Sequence, residues 1–84
     1  VWILDSQWVD QGSLVKSEAL LKQHEKVFIW PEKFGKRFKD FNDIAMACKI
    51  DEIKWKFIEK NTFEGLEGIV KLSEIKKYRN LKHT

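Results

Sequence analysis

The sequence predicts an α/β fold with two short parallel strands, over residues 1–5 and 27–30, joined by a crossover helix and followed by a helical C-terminal half. Three observations carry this. Val1, Trp2, Ile3 and Leu4 form one continuous apolar run ended by Asp5, and Val27, Phe28, Ile29 and Trp30 form another ended by Pro31. Runs of that length match strands buried on both faces. Between them, Leu14, Val15, Ala19, Leu20 and Leu21 recur at helical spacing, with Lys16, Lys22 and Gln23 on the other side. A helix between two doubly buried strands implies a parallel pair with a right-handed crossover. Beyond residue 40 the apolar spacing is helical.

Each element follows in order. Residues 6–13 are polar, include Gly12 and read as a loop, and Ser13 is placed to cap a helix over 14–24. The second strand stops at Pro31, which cannot donate to a ladder. Residues 32–39 read as a loop carrying Lys33, Lys36, Arg37 and Lys39 around Gly35. Phe41, Ile44, Ala45 and Cys48 predict a helix over 40–49, capped by Asp40 or Asn42. A further helix over 51–60 has Ile53, Phe57 and Ile58 as its core face, with Asp51 and Glu52 at its positive end. Asn61 and Glu64 match a capping box for a last helix whose apolar face is Leu66, Ile69, Val70 and Leu72, continued by Ile75 and Tyr78. From residue 71 onward, Lys71, Lys76, Lys77, Arg79 and Lys82 face one acid, Glu74. Fraying is expected past Asn80. The division is 1–50 for the α/β part and 51–84 for a helical extension.

The 84 residues are 43% hydrophobic, with four Trp and six Phe, which is enough for one small core. The 35% of charged residues are well mixed, and the net charge of +3 is a mild basic bias. One cysteine, Cys48, excludes an internal disulfide framework. No apolar run approaches membrane-spanning length, and the start lacks the basic region of a signal peptide. A cytoplasmic protein, of a cell or of an infected cell, is expected. Trp2 and Trp30 are expected in the core, Trp8 in a loop beside the candidate site, and Trp55 off the main apolar face. His24 and His83 have no Cys or His partner at zinc spacing, and no nucleophile elbow or Gly-rich phosphate loop occurs.

The chain opens on core-like residues without Met, so a missing N-terminal part is expected. Two strands are too few for an independent sheet. A bare strand edge is therefore expected, with self-association through it.

Candidate chemistry lies where the strands end. Ligands of an open parallel sheet collect beyond the carboxyl ends of its strands. Asp5 stands at that end of the first strand, and Asp40 and Asp43 follow the loop leaving the second. Grouped carboxylates of this kind suit a hard cation such as Mg²⁺, which activates or clamps oxygens in phosphoryl transfer. The competing reading is that Asp40 and Asp43 cap a helix. Lys33, Lys36, Arg37 and Lys39 are candidates for contacts to nucleic-acid phosphates, against the reading of a solvated surface. Phe34 and Phe38 either stack bases or anchor the loop.

Residues 27–47 (VFIWPEKFGKRFKDFNDIAMA) and 57–72 (FIEKNTFEGLEGIVKL) resemble the C-terminal region of Toprim-type DNA primases of large tailed phages. The matching elements are Trp30-Pro31, then Lys39, Asp40, Asn42 and Asp43, then Asn61, Thr62, Phe63, Gly65 and Leu66. The upstream VWILD resembles the Toprim strand that presents an Asp-x-Asp pair. The resemblance implies a partial Toprim-like domain over 1–50, with acids that bind Mg²⁺ and support nucleotidyl transfer. It further implies synthesis of RNA primers on a single-stranded DNA template from ribonucleoside triphosphates, beside a replicative helicase. By position, Asp5 matches the first Asp of the pair. Gln7 stands at the second, an amide that ligates without charge. Lys39 and Asp40 match the Lys-Asp element, and Asp43 lies beside it. The implied catalytic set is Asp5, Lys39, Asp40 and Asp43, and the implied metal ligands are Asp5, Gln7 and Asp40. The family's Glu on an earlier strand and its zinc-binding module have no counterpart in these residues, so the isolated chain is expected to be inactive. The alternatives are another Toprim enzyme, a topoisomerase or nuclease, and a non-catalytic nucleic-acid-binding module.

Overall fold

The structure is a computed structural model that describes residues 1–40, 42–43 and 55–82. In order, its elements are helix α1 (Gln11–Lys22), strand β1 (Val27–Phe28), the one-turn helix α2 (Glu32–Gly35), helix α3 (Trp55–Lys60), strand β2 (Thr62–Phe63) and helix α4 (Gly65–Lys82). The described residues are mostly helical, and the only ladder among them is antiparallel, pairing Val27 with Phe63 and Phe28 with Thr62. This overturns the expected Toprim-like α/β fold with parallel strands over 1–5 and 27–30. Residues 1–5 form a single isolated bridge, Trp2 to Val27, and no strand.

The reason is visible in the hydrogen bonds of the segment 27–30. Trp2 N–H donates to Lys26 O and Phe28 N–H donates to Trp2 O, both at 2.9 Å. The ladder then stops, because the Gln7 side chain replaces backbone as the partner. Gln7 Nε2 donates to Phe28 O at 2.9 Å, and Trp30 N–H donates to Gln7 Oε1 at 3.1 Å. On the opposite edge β2 pairs with β1, and Ile29 N–H donates to Asn61 O at 2.9 Å. Both edges of this buried segment are thus satisfied, as buried backbone requires. β2 was invisible in the sequence: Asn61 and Glu64 read as a cap for the next helix. Instead Asn61 Nδ2 donates to Phe57 O and Thr62 Oγ1 to Ile58 O, closing the C-terminal end of α3.

α1 begins earlier than its spacing suggests. Asp10, not Ser13, is the N-cap, and its Oδ2 accepts from both the N–H and the Oγ of Ser13. α1 is capped at its C-terminus by Gln23, with His24 in the left-handed region at φ 65°. His24 N–H donates to Leu21 O and Glu25 N–H to Leu20 O, the paired bonds of a Schellman motif. The expected loop 32–39 contains α2.

α4 packs across α1. Gly68 makes the close approach: a Cβ there would lie 2.6 Å from Leu21 Cδ2. Leu72 and Ile75 are buried from α4, while Leu66 is 78% and Val70 56% exposed, so the buried stripe is narrower and shifted relative to the expected face. One core runs through both halves of the chain, joining Leu14, Leu20, Leu21, Val27, Phe28, Ile29 and Trp30 to Ile58, Leu72 and Ile75. Trp30 lies in it as expected, whereas Trp2 is 43% exposed. The expected helix over 40–49, with Cys48, the start of the helix over 51–60, and His83 lie outside the described residues, apart from Asp40, a bend, and Asn42 and Asp43, which are helical.

Candidate nucleic-acid interface

The segment 4–10 is held by buried polar atoms. Ser6 N–H donates to Lys39 O at 2.6 Å, and Ser6 Oγ donates to Gly35 O at 2.7 Å. The N–H groups of Val9 and Asp10 return to Ser6 O. Trp8, expected in an open loop, is buried, with its Nε1–H donating to Trp30 O at 2.6 Å. Trp30 Nε1–H donates in turn to Leu4 O at 3.0 Å. Gly35 is what permits this closeness, since a Cβ there would lie 2.2 Å from Trp8 Cδ1 and 2.9 Å from Ser6 Oγ. The stitching presses the basic loop 33–39 against residues 5–10.

Cations from two distant segments meet on this platform. Lys36 Nζ lies 4.1 Å from the Tyr78 ring centroid and 5.3 Å from that of Trp8, and it pairs with Glu32 Oε1 at 3.1 Å. Trp8 and Tyr78 meet edge to face at 5.4 Å. Arg79 donates from its NH1 to Trp8 O and from Nε to Gln11 Oε1, each at 3.0 Å. Asp10 registers the cluster electrostatically. Its carboxyl is held below the ordinary range first by the Ser13 hydroxyl, against partial burial, then by the Ser13 N–H and the charges of Lys39 and Arg79. Lys33, Lys36, Arg37 and Lys39 are all exposed. Arg37 lies over the Phe38 ring at 5.1 Å. Phe38 is buried and anchors the loop; Phe34, on the rim, packs edge to face against Phe57 of α3 at 5.6 Å.

The candidate metal ligands fall as follows. The Ser6–Lys39 backbone bond brings their chain neighbours Asp5 and Asp40, both half-buried, to one edge. Asp40 Oδ1 accepts from Asp43 N–H at 2.9 Å, and Asp43 Oδ2 accepts from Lys39 N–H at 3.1 Å. Asp40 thus accepts from the N–H three residues on, as an N-cap side chain does, while Asp43 reaches back to the residue before Asp40. Gln7 is fully buried, and both ends of its amide are occupied by Trp30 N–H, Phe28 O and Ser17 Oγ. Among the described residues no three His, Cys, Asp or Glu side chains group to hold a metal ion. None of the described helices is long and apolar enough to cross a membrane.

Sequence reasoning placed the cations of the loop but missed Tyr78 and Arg79 as their neighbours. Trp8 and Arg79 are separated by 71 positions, and only the basic bias of the last helix hinted at it. No family model, curated protein or solved structure matches the chain.

Proposed function

We propose that this chain is a nucleic-acid-binding segment of a phage-type DNA primase, holding single-stranded template by its phosphates and not catalytic alone. One observation carries the reading. Lys36 from the basic loop and Arg79 from α4 both meet Trp8, and the backbone of Lys39 is tied to Ser6 in the same segment, with the side chains of Lys33, Arg37 and Lys39 exposed. Cations held in fixed relative positions match the spaced charges of a phosphate backbone. Tyr78 and Trp8 hold Lys36 by cation–π contact, and Glu32 pairs with the same exposed ammonium, so a phosphate there would compete with that carboxylate. The order of the Trp30-Pro31, Lys39-Asp40 and Asn61-Thr62-Phe63 elements is the support for the primase context. In that context Mg²⁺, held by Asp5 and Asp40 together with acids of the rest of the enzyme, would serve nucleotidyl transfer. Ribonucleoside triphosphates and a replicative helicase are then partners of the whole enzyme.

The test is a salt series of single-stranded DNA binding, followed by fluorescence anisotropy. Three phosphates neutralised predict a slope of log affinity against log salt of about −2. Replacing Lys36, Lys39 and Arg79 by Gln should flatten that slope towards zero. Affinity that does not fall with salt, or that survives the triple replacement, overturns the reading.

A further inference from the structure

Beside the cationic cluster lies a pocket of about 270 Å³, whose floor includes the buried Trp8, Ile29, Trp30 and Ile75. Its half-buried walls include Pro31 and Phe63. Four polar side chains stand at its rim: Glu32, Asn61, Lys71 and Glu74. The volume is just under the range of roughly 300–1,000 Å³ typical for drug-sized ligands. It suits one flat heterocycle and leaves anything attached to that ring outside.

The rim is rich in acceptors. Glu32 and Glu74 offer carboxylates, and Asn61, whose Nδ2 donates to Phe57 O, offers its Oδ1. Lys71 lies one turn before Glu74 and Ile75, on the same face of α4, with its Nζ 5.8 Å from the Phe63 ring centroid. An apolar floor, an aromatic wall and an acceptor-rich rim match a ring that carries donors at its edge. The pocket also shares two features with the cationic cluster. The Trp8 ring lines the pocket and lies beneath Lys36, and Glu32 lines the pocket and pairs with the same ammonium. A ring in the pocket therefore sits next to a phosphate on Lys36.

We infer that this pocket takes one unstacked base of the bound strand and favours bases with an exocyclic amino group. The inference rests on the proposed single-strand binding and adds to it a base-selective site. Adenine and cytosine present an amino donor at the edge, whereas thymine presents only its ring N–H and two carbonyl oxygens. Splayed bases held by aromatic side chains are the usual mode of single-strand recognition.

The experiment compares short deoxyadenosine, deoxycytidine, deoxythymidine and abasic oligonucleotides of equal length, bound to the full chain and to Glu74→Ala. Glu74 is exposed on α4, so its loss should leave the fold intact, which circular dichroism checks. The expected result is binding of the adenine and cytosine strands at least about five-fold tighter than the abasic strand, with thymine between. Glu74→Ala should narrow the gap between adenine and thymine. The indole N–H signals of Trp8 and Trp30 should shift with adenosine monophosphate alone. Equal affinity for abasic and adenine strands overturns the inference while leaving phosphate binding in place. A base preference that Glu74→Ala does not change also overturns it, because the base is then held elsewhere. Failure of every strand to bind overturns both readings.

Discussion

Replacing Gln7 by Leu should destabilise the protein by several kcal/mol, although the two side chains are similar in size. Gln7 is fully buried, and its amide makes three hydrogen bonds: from Trp30 N–H, to Phe28 O and to Ser17 Oγ. Leucine fills the space, so no cavity term enters. What remains is the loss of Gln7 as partner for two buried backbone groups, at about 1–3 kcal/mol each. The Ser17 hydroxyl can rotate and adds less. The total is about 2–6 kcal/mol. A chain of this length has a total stability of roughly 4–13 kcal/mol, so the variant should be marginal. Urea unfolding followed by tryptophan fluorescence measures it, with Gln23→Ala at the exposed end of α1 as control. Gln7→Glu sharpens the test. A buried carboxylate there would face Phe28 O, so its folded pKa should rise above the unfolded value. The folded state then holds the extra proton, and stability is present below about pH 4 and falls as the pH rises through the folded pKa. The variant should therefore be closest to wild type in acid, a profile the natural protein lacks. A Gln7→Leu protein within about 0.5 kcal/mol of wild type, or a Gln7→Glu protein with an unchanged pH profile, would refute the reasoning.

Three further outcomes are expected. Gly35→Ala places a Cβ 2.2 Å from Trp8 Cδ1, and should cost about 1–3 kcal/mol in chemical unfolding and weaken single-strand binding through the displaced platform. His24→Gly should raise stability by about 1 kcal/mol, read as an upward shift of the thermal midpoint, because His24 occupies the left-handed position that closes α1. Glu18 is held below the ordinary carboxylate range mainly by its hydrogen bond to Lys76, against partial burial, with further help from the Lys76 charge and from Lys22. A lowered folded pKa contributes stability that is present above the unfolded value near ~4.3 and is lost as pH falls through the folded one. Lys76→Ala should remove about 0.2–1 kcal/mol at neutral pH, less at high salt, and flatten the acid limb of the stability curve.

The sequence carried the local structure better than the pairing. The apolar spacing of Leu14, Leu20 and Leu21 located α1, and the run 27–30 located the buried centre of the sheet. Composition does not encode which backbone meets that centre. Val1, Trp2, Ile3 and Leu4 have all the local marks of a strand, yet only Trp2 bridges, because a side-chain amide five positions later occupies the rest of that edge. Thr62 and Phe63 were hidden behind a capping pattern, and a two-residue strand is too short for periodicity to register. At the candidate site, the basic loop was legible because its four cations are adjacent in sequence. The polar composition of 6–13 concealed the burial of Gln7, whose amide is bonded to Trp30, Phe28 and Ser17. The Asp40–Asp43 pair left both metal binding and capping open, and the structure adds that each carboxylate accepts one backbone N–H, from Asp43 and Lys39 respectively.

The side-chain amide of Gln7 also shapes the local dynamics. The sheet is two residues long by its ladder, and so short a pair would ordinarily fray on fast timescales. The amide extends its effective length without extending its backbone, so that Phe28, Ile29 and Trp30 are each locked by a partner distant in sequence. Opening any one of them requires residues 2–7, 27–30 and 61–63 to part together. Their amide protons should therefore exchange with solvent only through near-global unfolding, as one cooperative unit. The slowest-exchanging centre of a mostly helical protein would then be its smallest element.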